Sequence, residues 1–177
     1  MSHALLSPSA SKRWISCPPS ARLTEFLAET ESSYAAEGTL AHSIAEEKLN
    51  HRLGRATSPP VCEDAEMDEY TSDYAAFVLE QTEGLKDPTV YVEQRVDCSR
   101  YVPECFGTCD ALIVSEGVLH IIDLKSGRGV KVDAEENDQL QIYSLGALQM
   151  FDCLYPIDIV RMSIYQPRLG NVQTWET

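Results

Sequence analysis

Residues 107–125, GTCDALIVSEGVLHIIDLK, decide the fold of this 177-residue chain. Two apolar runs, 107–115 and 118–124, flank the dipeptide Glu116-Gly117, and β-branched residues recur in both. A short glycine-containing link between two such runs is typical of a β-hairpin, so we predict two adjacent antiparallel strands. The hairpin then brings Asp110 on its first strand close to the triplet Asp123-Leu124-Lys125 at the end of its second.

These hairpin residues combine two carboxylates with one ammonium group. Mg²⁺ and Mn²⁺ prefer oxygen ligands of this kind, and a nearby lysine can orient a water molecule or stabilise charge on a phosphate. The combination indicates phosphodiester hydrolysis. The alternative interpretation is that Asp110 and Asp123 are ordinary strand-end acids and that Lys125 neutralises one of them. Apolar neighbours of Asp110, among them Cys109 and Ala111, favour the metal, because a buried carboxylate needs a partner.

Hydrophobic periodicity on either side of the hairpin predicts helices first and then a sheet. The predicted helices span 9–27, 36–53, 64–83 and 134–151. Pro18-Pro19 interrupts the first helix, and Asp133 with Glu136 caps the last. The further predicted strands span 89–96 and 157–165. The order of elements is therefore helical, then β, β, β, α, β. We expect one domain, 1–177, with a mainly helical part at 1–85 and a catalytic sheet and helix at 86–177.

Composition limits the class of protein. A hydrophobic content of 44% fits a globular domain, and the sequence has neither an apolar run long enough for a membrane span nor a signal peptide. We expect a cytoplasmic protein that does not contact membranes. In that reducing compartment the six cysteines are expected to be mostly small buried hydrophobes. A zinc site formed by Cys98, Cys105 and Cys109 is the weaker alternative, because their spacing matches no standard zinc motif.

The charge of the chain does not favour DNA binding. It has 28 acidic and 14 basic residues, a net charge of −14, whereas proteins that grip DNA usually carry a basic face. The basic residues gather in two places: Lys12, Arg13 and Arg22 near the start, and Lys125, Arg128 and Lys131 around the aspartate triplet. A local basic groove on an acidic body is the arrangement that would reconcile this charge with DNA binding.

Five motifs, taken together, resemble the PD-(D/E)XK nuclease superfamily and, within it, the RecB-like branch. They are Trp14-Ile-Ser-Cys17-Pro18, Gly38-x-x-x-His42, Asp110 after Gly107, Asp123-Leu-Lys125, and Gln139-x-x-x-Tyr143. The stretch 123–146 is similar to an uncharacterised phage and prophage family of RecB-like nucleases. The resemblance implies an α/β, restriction-endonuclease-like core, in which helices flank a central mixed β-sheet and a helical segment precedes it.

The resemblance also implies roles for the motif residues. His42, Asp110, Asp123 and the Leu124 carbonyl would hold Mg²⁺ or Mn²⁺, and Lys125 would touch the scissile phosphate or the attacking water. Gln139 and Tyr143 would position DNA or Lys125. The alternative is that these residues have structural roles: His42 as a core histidine, Gln139 as part of a polar helix edge and Tyr143 as a core tyrosine. Arg128 and Lys131 are candidate phosphate contacts because of their location alone.

Cys17 raises the question of an iron–sulfur cluster. In many RecB-like nucleases an early cysteine joins three cysteines near the C-terminus around such a cluster, and those three are absent here. We therefore expect no iron–sulfur cluster on this chain, which is either a fragment truncated at its C-terminus or a minimal version.

The expected function is that of an Mg²⁺- or Mn²⁺-dependent deoxyribonuclease in a bacterial host cell. Exonuclease action in phage recombination, replication or repair fits best, with DNA and a recombination or replication protein as partners. The alternative is a non-catalytic module that keeps the fold and binds a protein partner. The net charge of −14 favours the alternative, whereas the presence of Asp110, Asp123 and Lys125 favours the nuclease.

Overall fold

A five-stranded mixed sheet forms the centre of the molecule in a computed structural model, which describes residues 4–25, 33–58 and 60–177. Its strands, in spatial and chain order, are β1 (Thr89–Asp97), β2 (Phe106–Val114), β3 (Gly117–Leu124), β4 (Ile157–Gln166) and β5 (Asn171–Glu176). Neighbouring strands are antiparallel except β3 and β4, which are parallel. A parallel pair needs a crossover connection, and a helix supplies it here.

The helices agree with the predicted pattern in number and order but not at every boundary. They are α1 (Ser11–Ser16), α2 (Ser20–Thr24), α3 (Ser33–Arg52), α4 (Ala65–Glu80) and the crossover helix α5 (Asp138–Phe151). The predicted interruption at Pro18-Pro19 is confirmed, because α1 ends before these residues and α2 begins after them. The end of that predicted helix, residues 26 and 27, lies outside the described residues.

The predicted start of α5 is wrong by four residues. Glu136 has a φ of +52°, which a right-handed helix does not allow, so the chain turns there instead. The cap is Asn137, whose side-chain oxygen accepts a hydrogen bond from the Leu140 amide at 3.2 Å. Asp133 and Glu136 therefore do not form the expected cap.

The predicted hairpin of β2 and β3 is confirmed. Ser115 and Val118 close a two-residue turn, and Gly117 adopts a φ of +91°, a conformation that favours glycine. Ala111 pairs with Ile122 across the two strands. One residue further along this register, Asp110 lies opposite Asp123.

Two hydrophobic layers cover the faces of the sheet. The α5 layer includes Leu119 and Ile121, and the layer shared by α3 and α4 includes Ile122 and Leu124, as expected from the alternation of side chains along a strand. Cys98, Cys105 and Cys109 are buried in the first layer, whereas Cys17 and Cys153 are exposed and Cys62 is half-buried. The expectation of mostly buried cysteines thus holds for only half of them. No group of three metal-ligating side chains in the described residues includes a cysteine.

The last strand was missing from the predicted elements. After β4 a short 3-10 helix, Pro167–Leu169, and Gly170 with a φ of +56° reverse the chain into β5 at the edge of the sheet. The strand is short, and apart from Val172 and Trp175 it is polar, so the sequence carries little periodic signal for it. Within the described part of the chain, no helix has the length and apolar character needed to cross a membrane.

The two glycines inside helices allow a matched test of the packing between α5 and β1. A Cβ at Gly146 would lie 2.8 Å from Cys98 Sγ and 3.1 Å from the Asp97 carbonyl, whereas a Cβ at Gly38 would meet only Ser126 Oγ, at 3.6 Å. We expect Gly146→Ala to lower the free energy of unfolding by about 1–3 kcal/mol through overpacking.

Gly38→Ala is the control, and it should be neutral or stabilising by about 0.5–1 kcal/mol, because alanine is the better helix former. Urea denaturation of both variants measures the difference. Equal effects of the two substitutions would contradict the close packing of α5 on β1.

Candidate metal and phosphate site

Asp110 joins the helical layer to the hairpin. Its Oδ1 lies 3.1 Å from Nδ1 of His42, which α3 carries one turn after Gly38. Its Oδ2 accepts a hydrogen bond from the Leu124 amide at 2.6 Å. The Asp110 side chain is only 13% exposed, and that of His42 is 34% exposed. One carboxylate therefore fixes both the helix that bears the histidine and the strand end that bears the aspartate triplet.

Asp123, Lys125 and Gln139 form a second group beside the first. Gln139, from the first turn of α5, donates to Asp123 Oδ1 at 2.7 Å and accepts from the Lys125 ammonium at 3.0 Å. The Lys125 nitrogen also lies 2.9 Å from Asp123 Oδ2. Both oxygens of the buried Asp123 carboxylate are therefore paired, Oδ1 with Gln139 and Oδ2 with the ammonium.

Glu93 is a site residue that the sequence interpretation missed. It lies on β1 between Val92 and Gln94, which pair with Ala111 and Cys109, so it faces Asp110 across the strands. Possible ligand atoms of His42, Glu93 and Asp110 all lie within 4.8 Å of one another. Glu93 adopts a φ of +48° inside a strand, a strained conformation that is often found at functional sites. The sequence signal that could have suggested Glu93 is an acid within the predicted strand 89–96, but the register that places it opposite Asp110 comes from the structure.

Burial and neighbouring charges shift the pKa values of His42 and Glu93. Burial lowers the pKa of His42, but attraction by Asp110, with help from Asp123 and Glu93, outweighs burial and raises that pKa to about 9. Burial, reinforced by repulsion from Asp110, raises the pKa of Glu93 to about 7. Near neutral pH the metal-free group therefore holds a protonated imidazole and a partly protonated Glu93, which keeps its net charge small.

The second group shows the same competition between burial and charge. Burial raises the pKa of Asp123 to about 6, against the opposing attraction of Lys125 and together with repulsion from Asp110. Burial lowers the pKa of Lys125, but the attraction of Asp123 outweighs it, so the pKa of the lysine is raised. Lys125 therefore stays charged next to the acidic cluster.

The donor set fits a hard divalent cation. It offers carboxylate oxygens from two neighbouring strands and one imidazole, ligand types that divalent cations accept. His42, Glu93 and Asp110 are close enough to share one ion, whereas Asp123 is not within that tight group because its carboxylate is turned toward Lys125 and Gln139. Repulsion between Asp110 and Asp123 is the reason that a cation would be attracted to the gap between them.

Two cavities include Lys125 in their lining. A cavity of about 390 Å³ is lined by His42, Leu124 and Lys125, and a second of about 550 Å³ is lined by Lys12, Lys125, Lys131 and Gln139. Both also include Val130 and Val132 of the loop between β3 and α5. Lys125 therefore borders both cavities, the second of which is also lined by Asp133, Glu135, Glu136 and Asp138.

The remaining predicted residues lie at the edges of this site. Tyr143 is buried and packs on the hairpin, because a Cβ at Gly107 would lie 2.8 Å from its ring; burial raises the pKa of its phenol. Lys131 is exposed beside the second opening. Arg128 is also exposed but forms an ion pair with Glu66 of α4, which takes up part of its charge.

The raised pKa values predict how stability depends on pH. Glu93 and His42 bind protons more tightly in the folded state, so folding is favoured at low pH. The contribution of Glu93 is lost as pH rises from 4.5 to about 7, and that of His42 as pH rises from 6.5 to about 9. In the wild-type protein the free energy of unfolding should decline as pH rises from 4.5 to 7. Denaturant unfolding in EDTA should show that Glu93→Gln removes part of this decline. If the difference in free energy of unfolding between the wild-type protein and the variant is the same at pH 4.5 and pH 7, this assignment is contradicted.

Comparison with known proteins places the chain in a family. A solved structure described as "Crystal structure of SSO0001" is similar over 77% of this chain and 76% of that chain, with 12% identity and a TM-score of 0.26. A similarity that low carries no argument about the fold or the function. The profile of the family described as "Protein of unknown function (DUF2800)" matches residues 3–177. The chain therefore belongs to the family of proteins of unknown function DUF2800.

Proposed function

We propose that the protein is a metal-dependent deoxyribonuclease of PD-(D/E)XK type that hydrolyses phosphodiester bonds. The observation that carries the proposal is the convergence of Asp110, Asp123 and Glu93 with His42 and Lys125 beside an open cavity. The order of elements, with a catalytic hairpin followed by a crossover helix to a parallel strand, is compatible with that superfamily. Exonuclease action on phage or host DNA during recombination, replication or repair is the role that we favour.

The cation would be Mg²⁺ or Mn²⁺. His42, Asp110 and Glu93 would hold it. Asp123 and the Leu124 carbonyl, which the family resemblance also implies as ligands, lie outside that tight group and would have to approach the ion when it binds. When bound, a divalent ion supplies Lewis-acid activation of a water molecule and of the phosphate. Loss of the His42 proton would accompany binding, because a coordinating imidazole must be neutral.

Lys125 would stabilise the negative charge that develops on the phosphate during hydrolysis. Its ammonium is held in place by Asp123 and Gln139, so it need not reorganise when the charge appears. Gln139 is thus a positioning residue: its amide fixes both partners in one orientation through two hydrogen bonds. Tyr143, one turn later on α5, packs against Gly107 and keeps that helix on the hairpin.

The second candidate function is a non-catalytic module that binds a protein partner. It is favoured by the net charge of −14 and by the ion pair that engages Arg128, because both weaken the attraction for a DNA backbone. Lys12, Lys125 and Lys131 all border one opening, but Asp133, Glu135, Glu136 and Asp138 line it too, so the expected local basic groove is not formed there.

Substitutions at the second group should separate these functions. We expect Asp123→Asn to reduce Mn²⁺-dependent hydrolysis of linear DNA at least a hundredfold, and Lys125→Arg to reduce it nearly as much, since a planar guanidinium cannot replace an ammonium at a tight site. Fluorescent gel assays with Mg²⁺, Mn²⁺ and EDTA measure the rates. Asp158→Asn is the matched control, because this exposed aspartate lies at the opposite end of the strand pair. Full activity of the Asp123 variant would refute the mechanism.

DNA affinity should depend on Lys131 more than on Arg128. Lys131 is exposed beside the opening, whereas Arg128 is partly neutralised by Glu66. We expect Lys131→Ala to weaken binding about tenfold, the effect of one charged hydrogen bond of about 1.5 kcal/mol. Arg128→Ala should weaken it less, as fluorescence anisotropy at low salt would show. The reverse ranking would indicate that the Glu66 pair opens when DNA binds.

A further inference from the structure

A large cavity adjoins the candidate metal site on the side of α3. Its volume is about 850 Å³, and it is lined by α3, the start of α4 and the loop after β3. It shares Ser126, Gly127 and Gly129 with the opening that contains His42. The two spaces are therefore neighbours along one wall.

One face of α3 connects them. Tyr34, Gly38 and His42 follow each other at intervals of four residues, so they lie on successive turns of one helix face, about 6 Å apart along the axis. Tyr34 lines the cavity and its side chain is 83% exposed, and no ring of the described residues stacks on it. An aromatic ring presented to solvent at this place can stack on a planar group of the substrate.

The walls of the cavity carry both hydrogen-bond donors and acceptors. Arg168, whose side chain is 8% exposed, is held 2.6 Å from Glu37, and Arg128 is paired with Glu66. Asp64 adds a third carboxylate, although it also caps α4. Three acids against two guanidinium groups make the cavity a poor place for a phosphate. These ion pairs give the cavity a polar wall with little net charge, which a neutral polar group such as a nucleobase tolerates better than a phosphate does.

The backbone leaves room for such a ligand. A Cβ at Gly127 or at Gly129 would meet nothing within 4 Å, and at Gly38 it would meet only Ser126 Oγ at 3.6 Å. The glycines of the loop are thus not required by packing within the chain. Because these glycines carry no side chains, a flat ring stacked on Tyr34 could approach the backbone of the loop closely.

We infer that this cavity receives the unpaired base of a nucleotide next to the scissile phosphate, so that the substrate is single-stranded DNA or a single-stranded end. The inference rests on the proposed nuclease function. A base inside a duplex is stacked on both faces and its pairing edge is occupied, so it can enter only after unpairing. Tyr34 then contributes to substrate binding and takes no part in the chemistry.

The test combines a protein variant with a substrate lacking one base. Short single-stranded oligonucleotides carry one cleavable phosphodiester among phosphorothioate linkages, with an abasic nucleotide on its 5′ side, on its 3′ side or nowhere. Wild-type protein, Tyr34→Ala and the control Tyr101→Ala, an exposed tyrosine in the loop between β1 and β2, are compared with Mn²⁺. We expect Tyr34→Ala to raise KM about tenfold on the intact oligonucleotide with little change in kcat.

The abasic substrates identify the cause of that effect. On one of the two, wild-type protein and Tyr34→Ala should have equal KM values, because the stacking partner is gone. Two results would overturn the base site but leave the proposed nuclease function unaffected. In the first, Tyr34→Ala and Tyr101→Ala hydrolyse the intact oligonucleotide with the same KM. In the second, the effect of Tyr34→Ala on KM persists on both abasic substrates. Wild-type protein that leaves every substrate intact overturns the nuclease and the base site together.

Discussion

The Asp110 carboxylate is the contact on which the candidate site depends. One oxygen accepts from the Leu124 amide at 2.6 Å, and the other pairs with His42 at 3.1 Å. The first contact stiffens the end of the hairpin where the aspartate triplet begins, and the second ties α3 to the sheet. Without Asp110, the partly buried imidazole of His42 would lose the partner that raises its pKa. The helix that also carries Gly38 and Tyr34 would lose its polar anchor on the strands.

The electrostatics around Asp110 explain why this cluster looks like a binding site rather than a structural ion pair. Burial and mutual repulsion raise the pKa of Glu93 to about 7 and that of Asp123 to about 6, and both shifts work against folding at neutral pH. Glu93 adds a strained backbone conformation at φ +48°. Such destabilising features are retained in a protein when a bound ligand offsets their free-energy cost. A divalent cation would relieve the repulsion of three carboxylates at once.

The sequence was most informative where hydrophobic periodicity and turn chemistry agree. The hairpin 107–124, the break at Pro18-Pro19 and the helix around His42 follow from such local signals, as do Asp110 and Asp123 as neighbours on adjacent strands. Glu93 was missed because its role depends on the pairing of β1 with β2 and on a left-handed φ, neither of which is visible locally. The start of α5 was misplaced because Asn137 competes with Asp133 as a cap, and β5 was missed because a mostly polar edge strand has no periodic signal. The ion pairs of Arg168 and Arg128 join distant segments, so sequence spacing could not predict them.

The central claim is that His42, Asp110 and their neighbours form a divalent metal site. Calorimetric titration of Mn²⁺ into the metal-free protein at neutral pH, repeated in two buffers of different ionisation heat, tests it directly. We expect saturable binding with release of protons, because the pKa of His42 is raised to about 9 and its proton must leave. Binding should be lost in Asp110→Asn and kept in Asp158→Asn. Absence of binding by the wild-type protein, or binding that Asp110→Asn leaves unchanged, would contradict the assignment.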